Sequence, residues 1–201
     1  MKSHIKACNS VDTNAETTYN VARIYFQHRL GFMDGGGEIY IRRATGMNNI
    51  LHAKIEEIPT EHSSTYEGYE YYRRRFTPFG FAEQCDVSIY EIPPGNSMCP
   101  YHYHAKNEET FYIISGKGLL KTPTDEKEIS SGEILFFPGN ENGAHKLTNI
   151  SDTEMLVYLD FGTRNEIDVA FYPDSGKIGV WGKNINKVYK ENQNVDYYDG
   201  E

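Results

Sequence analysis

The stretch that most constrains this chain is residues 95–116, GNSMCPYHYHAKNEETFYIISG. His102 and His104 lie two residues apart, so on a strand their side chains leave the same face. Glu109 follows at the head of an apolar run, Phe111-Tyr112-Ile113-Ile114. If Ala105-Lys106-Asn107 turns the chain, Glu109 comes back beside the two imidazoles. Two neutral nitrogen donors and one carboxylate then converge on one point. That donor set suits a divalent first-row metal with open positions for water or substrate.

A fourth donor comes later. Residues 132–149, GEILFFPGNENGAHKLTN, read as a strand, a turn and the start of another strand, and His145 sits where the second strand re-enters a sheet. His102, His104, Glu109 and His145 would then form the metal shell. These two stretches resemble the two signature motifs of the cupin superfamily, written G-x5-H-x-H-x3,4-E-x6-G and G-x5-P-x-G-x2-H-x3-N. Glu109 has six residues before Gly116 and so fits the family's glutamate better than Glu108. Gly132, Pro138, His145 and Asn149 fit the second frame. There are departures. Six residues, not five, separate Gly95 from His102, and Pro138 and His145 are two residues further apart than the pattern allows. Gly139 or Gly143 must stand in for its glycine. The motifs and their link cover residues 95–149, and flanking strands widen the resemblance to roughly 85–175.

The resemblance implies an all-β fold, a cupin-type double-stranded β-helix or jelly-roll barrel with the metal in its mouth. The residues agree: turn signals recur every eight to twelve residues or so between short strands, as in antiparallel sandwiches and barrels. Sixteen tyrosines and eighteen glycines suit such a fold. Val87 to Ile92 is a strand stopped by Pro93-Pro94-Gly95. Thr110 to Ser115 is another, with Gly116-Lys117-Gly118 as a hairpin turn and 119–122 pairing back. Phe111, Ile113, Ile134, Phe136, Met155 and Val157 alternate along strands as core or pocket wall.

Three segments are expected: residues 1–60 as an N-terminal extension with a few added strands, 61–183 as the barrel, and 184–201 as a mobile acidic tail. Within the extension, 21–30 reads as a short helix or strand, and 38–43 and 50–55 as strands. His4, His28, His52 and His62 lie outside the motifs and read as ordinary surface or core histidines.

Charge bounds the partners. A formal net charge of −9 and a pI near 5.3 argue against nucleic acid and anionic membrane surfaces. No apolar run is long enough to span a bilayer. The N-terminus lacks the apolar stretch of a secretory signal. Cys8, Cys85 and Cys99 are too few and too scattered for a disulfide framework, which points to a reducing cytoplasm. Cys99, just before the histidine strand, reads as pocket lining rather than as a catalytic thiol. The run Arg73-Arg74-Arg75 alternates faces on an extended segment, so its three guanidiniums cannot all address one ligand. Surface ion pairing is its expected use.

The chemistry left open falls into three classes. A divalent metal (Mn, Fe, Ni or Zn) acting as a Lewis acid suits isomerases and epimerases of sugar phosphates, in line with the small bacterial cupins that the segment 163–177 resembles. Fe or Ni in the same shell suits a dioxygenase. A pocket without catalysis suits a small-molecule binding protein, as in auxin-binding cupins. Isomerisation is placed slightly ahead, on a small polar or carboxylated substrate. It needs a general base beside the metal, and phosphate capture needs inward Lys or Arg. Lys121 and Lys146 lie on or next to barrel strands, but parity alone does not turn them inward. The resemblance also implies a homodimer.

Overall fold

β-branched and aromatic residues alternate with polar ones through most of the chain, and only sheets bury one face of such segments. A computed structural model describes residues 50–78 and 81–201, together with the backbone of two short strands, β1 (Asn20–Val21) and β2 (Arg42–Arg43), which pair antiparallel. The chain divides into two compact units, 1–60 and 61–201. In the first unit, the expected elements at 21–30 and 38–43 lie outside the described residues except for Val21, Arg42 and Arg43. The strand expected at 50–55 does not form. Residues 50–54 are irregular and lead into a 3-10 turn, Ile55–Glu57, where the Glu57 carboxylate accepts the Lys54 N–H at 3.0 Å. A local side-chain bond to backbone has displaced a ladder.

The second unit is built from β3 (Thr60–Tyr66), β4 (Tyr69–Arg75), β5 (Cys85–Ile92), β6 (Tyr103–His104), β7 (Glu109–Ser115), β8 (Lys117–Lys121), β9 (Glu126–Ser130), β10 (Ile134–Phe137), β11 (Lys146–Asn149), β12 (Leu156–Thr163), β13 (Ile167–Tyr172), β14 (Lys177–Gly182) and β15 (Ile185–Lys190). No α-helix occurs among the described residues. A six-stranded sheet runs β10-β7-β12-β5-β4-β3, a second sheet β11-β8-β9, and a third β15-β14-β13-β6. The pairings between the strands of the second unit are antiparallel. The core lies between the first two sheets. Tyr90, Ile92, Phe111, Ile113, Leu156, Tyr158 and Phe137 come from one, and Leu120, Ile129 and Leu147 from the other. This is the all-β jelly roll that the sequence predicts.

Three local readings need correction. Gly116 does not close a hairpin. Its φ of +85° turns the chain out of the large sheet, so β8 pairs with β11 and β9 rather than with β7. A Cβ on Gly116 would overlap the Met155 carbonyl, so the crossing needs glycine both for its φ and for its space. Ile134 and Phe136 are not core: they are 70% and 60% exposed, while Phe137 points inward. Both faces of β10 are apolar, so alternation could not say which face is buried. Finally, 184–201 is not a free tail throughout, because Ile185–Lys190 pairs along its length with Lys177–Gly182. Backbone pairing holds a segment too poor in aliphatics to be held by burial.

Asn149 explains its place in the motif. Its buried amide donates to the Ile92 and Glu154 carbonyls at 2.7 and 2.8 Å and its oxygen accepts from Ser151 N–H at 2.9 Å. It ties the end of β11 to β5 and to the turn before β12.

Candidate metal centre

His102 and His145 face each other across an antiparallel bridge, exchanging backbone hydrogen bonds of 3.1 and 2.8 Å. The extra residues between Pro138 and His145 form a 3-10 turn, Glu141–Gly143, capped by the Asn140 side chain on Asn142 N–H at 2.9 Å. Gly143 folds back so closely on Pro138 that a Cβ would overlap the Pro138 carbonyl oxygen. The insertion is thus taken up locally, and His145 keeps its place in the site. His104 lies on β6, opposite Ala170 of β13. Glu109 opens β7 and pairs with Phe137 and Gly162.

The four side chains meet on one atom. Glu109 Oε2 lies 3.4 Å from His145 Nε2, 3.6 Å from His104 Nε2 and 3.9 Å from His102 Nε2. The donor atoms of His102, Glu109 and His145 lie within 4.8 Å of one another, a grouping able to hold a metal ion. His104 stands at its side, held from behind.

The ring tautomers follow from the partners at Nδ1. His102 donates to the Pro100 carbonyl at 3.0 Å and His145 to the Gly143 carbonyl at 2.9 Å, both oxygens that can only accept. His104 donates to Asp168 Oδ2 at 2.5 Å. With Nδ1 protonated, each neutral ring presents a bare Nε2 lone pair. Burial, reinforced by the charge on His104, holds the His102 pKa down at about 4. Burial, with the charge of His102, lowers that of His145 well below its ordinary value. Both rings are therefore neutral ligands at pH 7. For His104, burial lowers the pKa, but the Asp168 hydrogen bond and the Glu109 charge outweigh it and the net shift is upward. Burial raises the Glu109 pKa against the opposing pull of His104.

Lone pairs thus face lone pairs. Glu109 Oε2 and His145 Nε2 are buried with no hydrogen-bond partner. Such groups cost about 1–3 kcal/mol each when left unpaired. A cation at their meeting point removes that cost, so the residues present fit a divalent metal.

Two further carboxylates were not singled out from the sequence. Asp168, 2% exposed, orients His104 and also accepts the Lys106 and Asn107 N–H groups at 3.0 and 3.2 Å. It therefore anchors the turn that returns Glu109 to the histidines. Burial raises its pKa, but these three donors outweigh that and the net shift is downward. Asp160 sits on β12, and its Oδ1 is buried without a partner. Burial, then the charges of Glu109 and Asp86, push its pKa well up. Each had a signal: an acid at the apolar parity of its strand, beside Ala170 in one case and Leu156 and Tyr158 in the other.

Cys99 lies 3.5 Å from His102 Nδ1, and burial pushes its thiol pKa up, against a nucleophilic role. Lys121 is tied to Asp174 at 2.8 Å and Lys146 lies over the Tyr69 ring, so neither lines the cavity beside Glu109. That cavity, about 190 Å³, is walled by Arg73, Arg75, Ser88, Tyr90, Glu109 and Asp160 among others.

The cupin domain family matches residues 88–162. An uncharacterized protein of Aquifex aeolicus is 28% identical over 105 residues, 52% of this chain and 78% of its own length. Among solved structures, one from Acidithiobacillus ferrooxidans, provisionally described as a sugar phosphate isomerase, is 27% identical and superposes with a TM-score of 0.64 over 73% of this chain and 95% of that one. A sugar phosphate isomerase from a cupin superfamily, from Silicibacter pomeroyi, has the same TM-score of 0.64 at 20% identity, covering 74% of this chain and 98% of its own, which speaks for the fold. The motifs, the jelly roll and these matches agree: the chain carries a cupin domain at residues 88–162.

Proposed function

We propose that this protein is a metal-dependent enzyme acting on a small polar or carboxylated molecule, of the sugar-phosphate isomerase or epimerase type. The observation that carries the metal is the meeting of three imidazole Nε2 atoms, that of His145 without a partner, on an unpartnered Glu109 oxygen. His102, His104, Glu109 and His145 would hold the ion, and Asp168 would keep His104 turned toward it. When bound, a divalent ion supplies Lewis-acid polarisation of a substrate carbonyl or enediolate oxygen. The chain's own residues supply the rest. Asp160, in the wall of the same cavity with its pKa raised by burial, is placed to give or take a proton. The choice of isomerase rests on the likeness to the Acidithiobacillus ferrooxidans protein.

The test is elemental analysis of protein purified without chelator or metal-affinity resin, beside His104→Ala. Manganese or zinc near one equivalent, falling at least on the order of 10-fold in the variant, is the expected result, followed by turnover in a sugar-phosphate screen. Full occupancy in the variant would remove His104 from the shell. Iron or nickel together with oxygen uptake would replace isomerisation by dioxygenase chemistry. No metal in either protein would favour a binding protein.

The same reading includes a homodimer and a cytoplasmic setting. Ile134, Phe136, Tyr112 and Phe161 leave the outer side of β10, β7 and β12 apolar and exposed. Such a patch is more than scattered surface residues require, and a second copy would cover it. Phe136→Glu is expected to shift sedimentation from dimer to monomer without loss of metal; an unchanged profile would move the interface elsewhere. Cys85 and Cys99 are free thiols, compatible with a reducing compartment, and no helix among the described residues is long and apolar enough to cross a membrane.

A further inference from the structure

The arginine run divides between two faces. Arg74 lies on the face of the sheet opposite to its two neighbours, across from Ile89, and pairs with Glu91 at 3.0 Å. Arg73 and Arg75 lie opposite Tyr90 and Ser88, both buried, on the side where Tyr71 packs against the core. They belong to the wall of the cavity that also contains Glu109. Two inward guanidiniums are unusual in a chain of net charge −9.

Their neutralisation is incomplete. One carboxylate, Glu61, serves both: it accepts from Arg73 Nε at 3.0 Å and from a second Arg73 nitrogen, and lies 3.9 Å from Arg75. Among the described residues Arg75 has no closer ion pair. Asp86 in the same wall is engaged by Arg164 at 3.3 Å. Asp160 Oδ1 accepts no hydrogen bond from them, although the Arg73 charge acts on this carboxyl. Two guanidiniums carry ten N–H donors against the Tyr90 side chain, which bonds Arg73, and one shared carboxylate that is itself 47% exposed. Fixed, half-buried guanidinium forks with spare donors are suited to an oxyanion bound by two N–H groups at once.

We infer that Arg73 and Arg75 form an oxyanion-binding subsite, which holds the phosphate or carboxylate end of the substrate while the rest of the molecule reaches Glu109 and the histidines. Glu61 occupies the forks in the empty site and yields them to the incoming anion. The inference rests on reading the histidine cluster as a substrate site, and it assigns the substrate's charged end to a strand outside both cupin motifs.

Calorimetric titration of the full-length protein after metal removal tests the subsite apart from the metal, with inorganic phosphate and acetate as probes. Phosphate is expected to bind. Arg75→Gln and Arg73→Gln each weaken it roughly 10–100-fold, the loss of one charged hydrogen-bonding group. Glu61→Gln strengthens it by removing the competitor, and Lys121→Gln leaves it unchanged. If Arg73→Gln fails to fold, Arg75→Gln and Glu61→Gln still decide the matter. Tighter phosphate than acetate marks a phosphorylated substrate, and the reverse order a carboxylic acid. Phosphate and acetate binding that ignores Arg75→Gln, or is absent in both the parent and Glu61→Gln, overturns the subsite. Phosphate bound by a protein that never takes up metal would leave the subsite standing and overturn the metal reading. A metal-loaded protein indifferent to both anions would do the reverse.

Discussion

Glu109→Gln is expected to lose the metal and gain stability without it. The carboxylate oxygen on which His102, His104 and His145 converge is buried and accepts nothing. An amide in its place has nearly the same shape but contributes no charge. Turned toward the rings, its NH2 donates to the bare Nε2 atoms that the carboxylate leaves facing another acceptor. Metal affinity should fall by at least on the order of 100-fold, the upper end of what loss of an outer-shell partner costs. In chelator the variant should melt higher than the parent by about 2–4 °C, equivalent to about 1 kcal/mol for a domain of this size. Elemental analysis and paired melting curves with and without chelator read both halves. A variant that binds metal as before, or that is less stable than the parent when both are metal-free, would show that the cluster is a hydrogen-bonded network of another kind.

The second large effect concerns protons. In the metal-free protein His102 titrates at about 4 because burial, aided by the His104 charge, disfavours the imidazolium. In the unfolded chain it titrates near its ordinary 6.5. Between these values the unfolded chain holds a proton that the folded one does not, so the His102 contribution is fully present above pH 6.5 and is lost as pH falls toward 4. A shift of that size corresponds to about 3 kcal/mol. Asp160 and Glu109, whose pKa values are raised, act in the opposite sense over the same range. The measurable quantity is therefore the stability of the parent minus that of His102→Gln, with metal removed. It should shrink by about 3 kcal/mol from pH 6.5 to 4 in denaturant titrations. A pH-independent difference would mean that the ring is hydrated or protonated in the fold. Nuclear magnetic resonance should find His102 and His145 as Nδ1–H tautomers at pH 6.5, and His104 protonated at a higher pH than either.

Positions with a strong local cause were legible without coordinates. His-x-His on an extended segment must place both rings on one side, and a short polar turn before an apolar strand brings Glu109 back to them. Pro93-Pro94-Gly95 and Pro138 stop strands wherever the chain folds. Parity was readable where only one face of a strand is apolar. It failed on β10, where Ile134-Leu135-Phe136-Phe137 is apolar on both faces and the burial of Phe137 is settled by its neighbours Phe111 and His145. It was not applied to Asp160 and Asp168, acids on the inward parity, because composition treats carboxylates as surface residues until a partner is known.

The sequence by itself carried the two motifs, with Glu109 and the three histidines that meet at it, and the antiparallel β class, because backbone periodicity and turn chemistry are local properties; the jelly roll was implied by the family resemblance of those motifs. The tertiary structure alone decided the rest. It turned the chain at Gly116 into a different sheet, set Asp168 of β13 behind His104 across 64 residues of chain, and brought Arg73 and Arg75 to the cavity that reaches Glu109. Each depends on which strand lies beside which, a matter of burying one shared core, and no window of neighbouring residues contains that information.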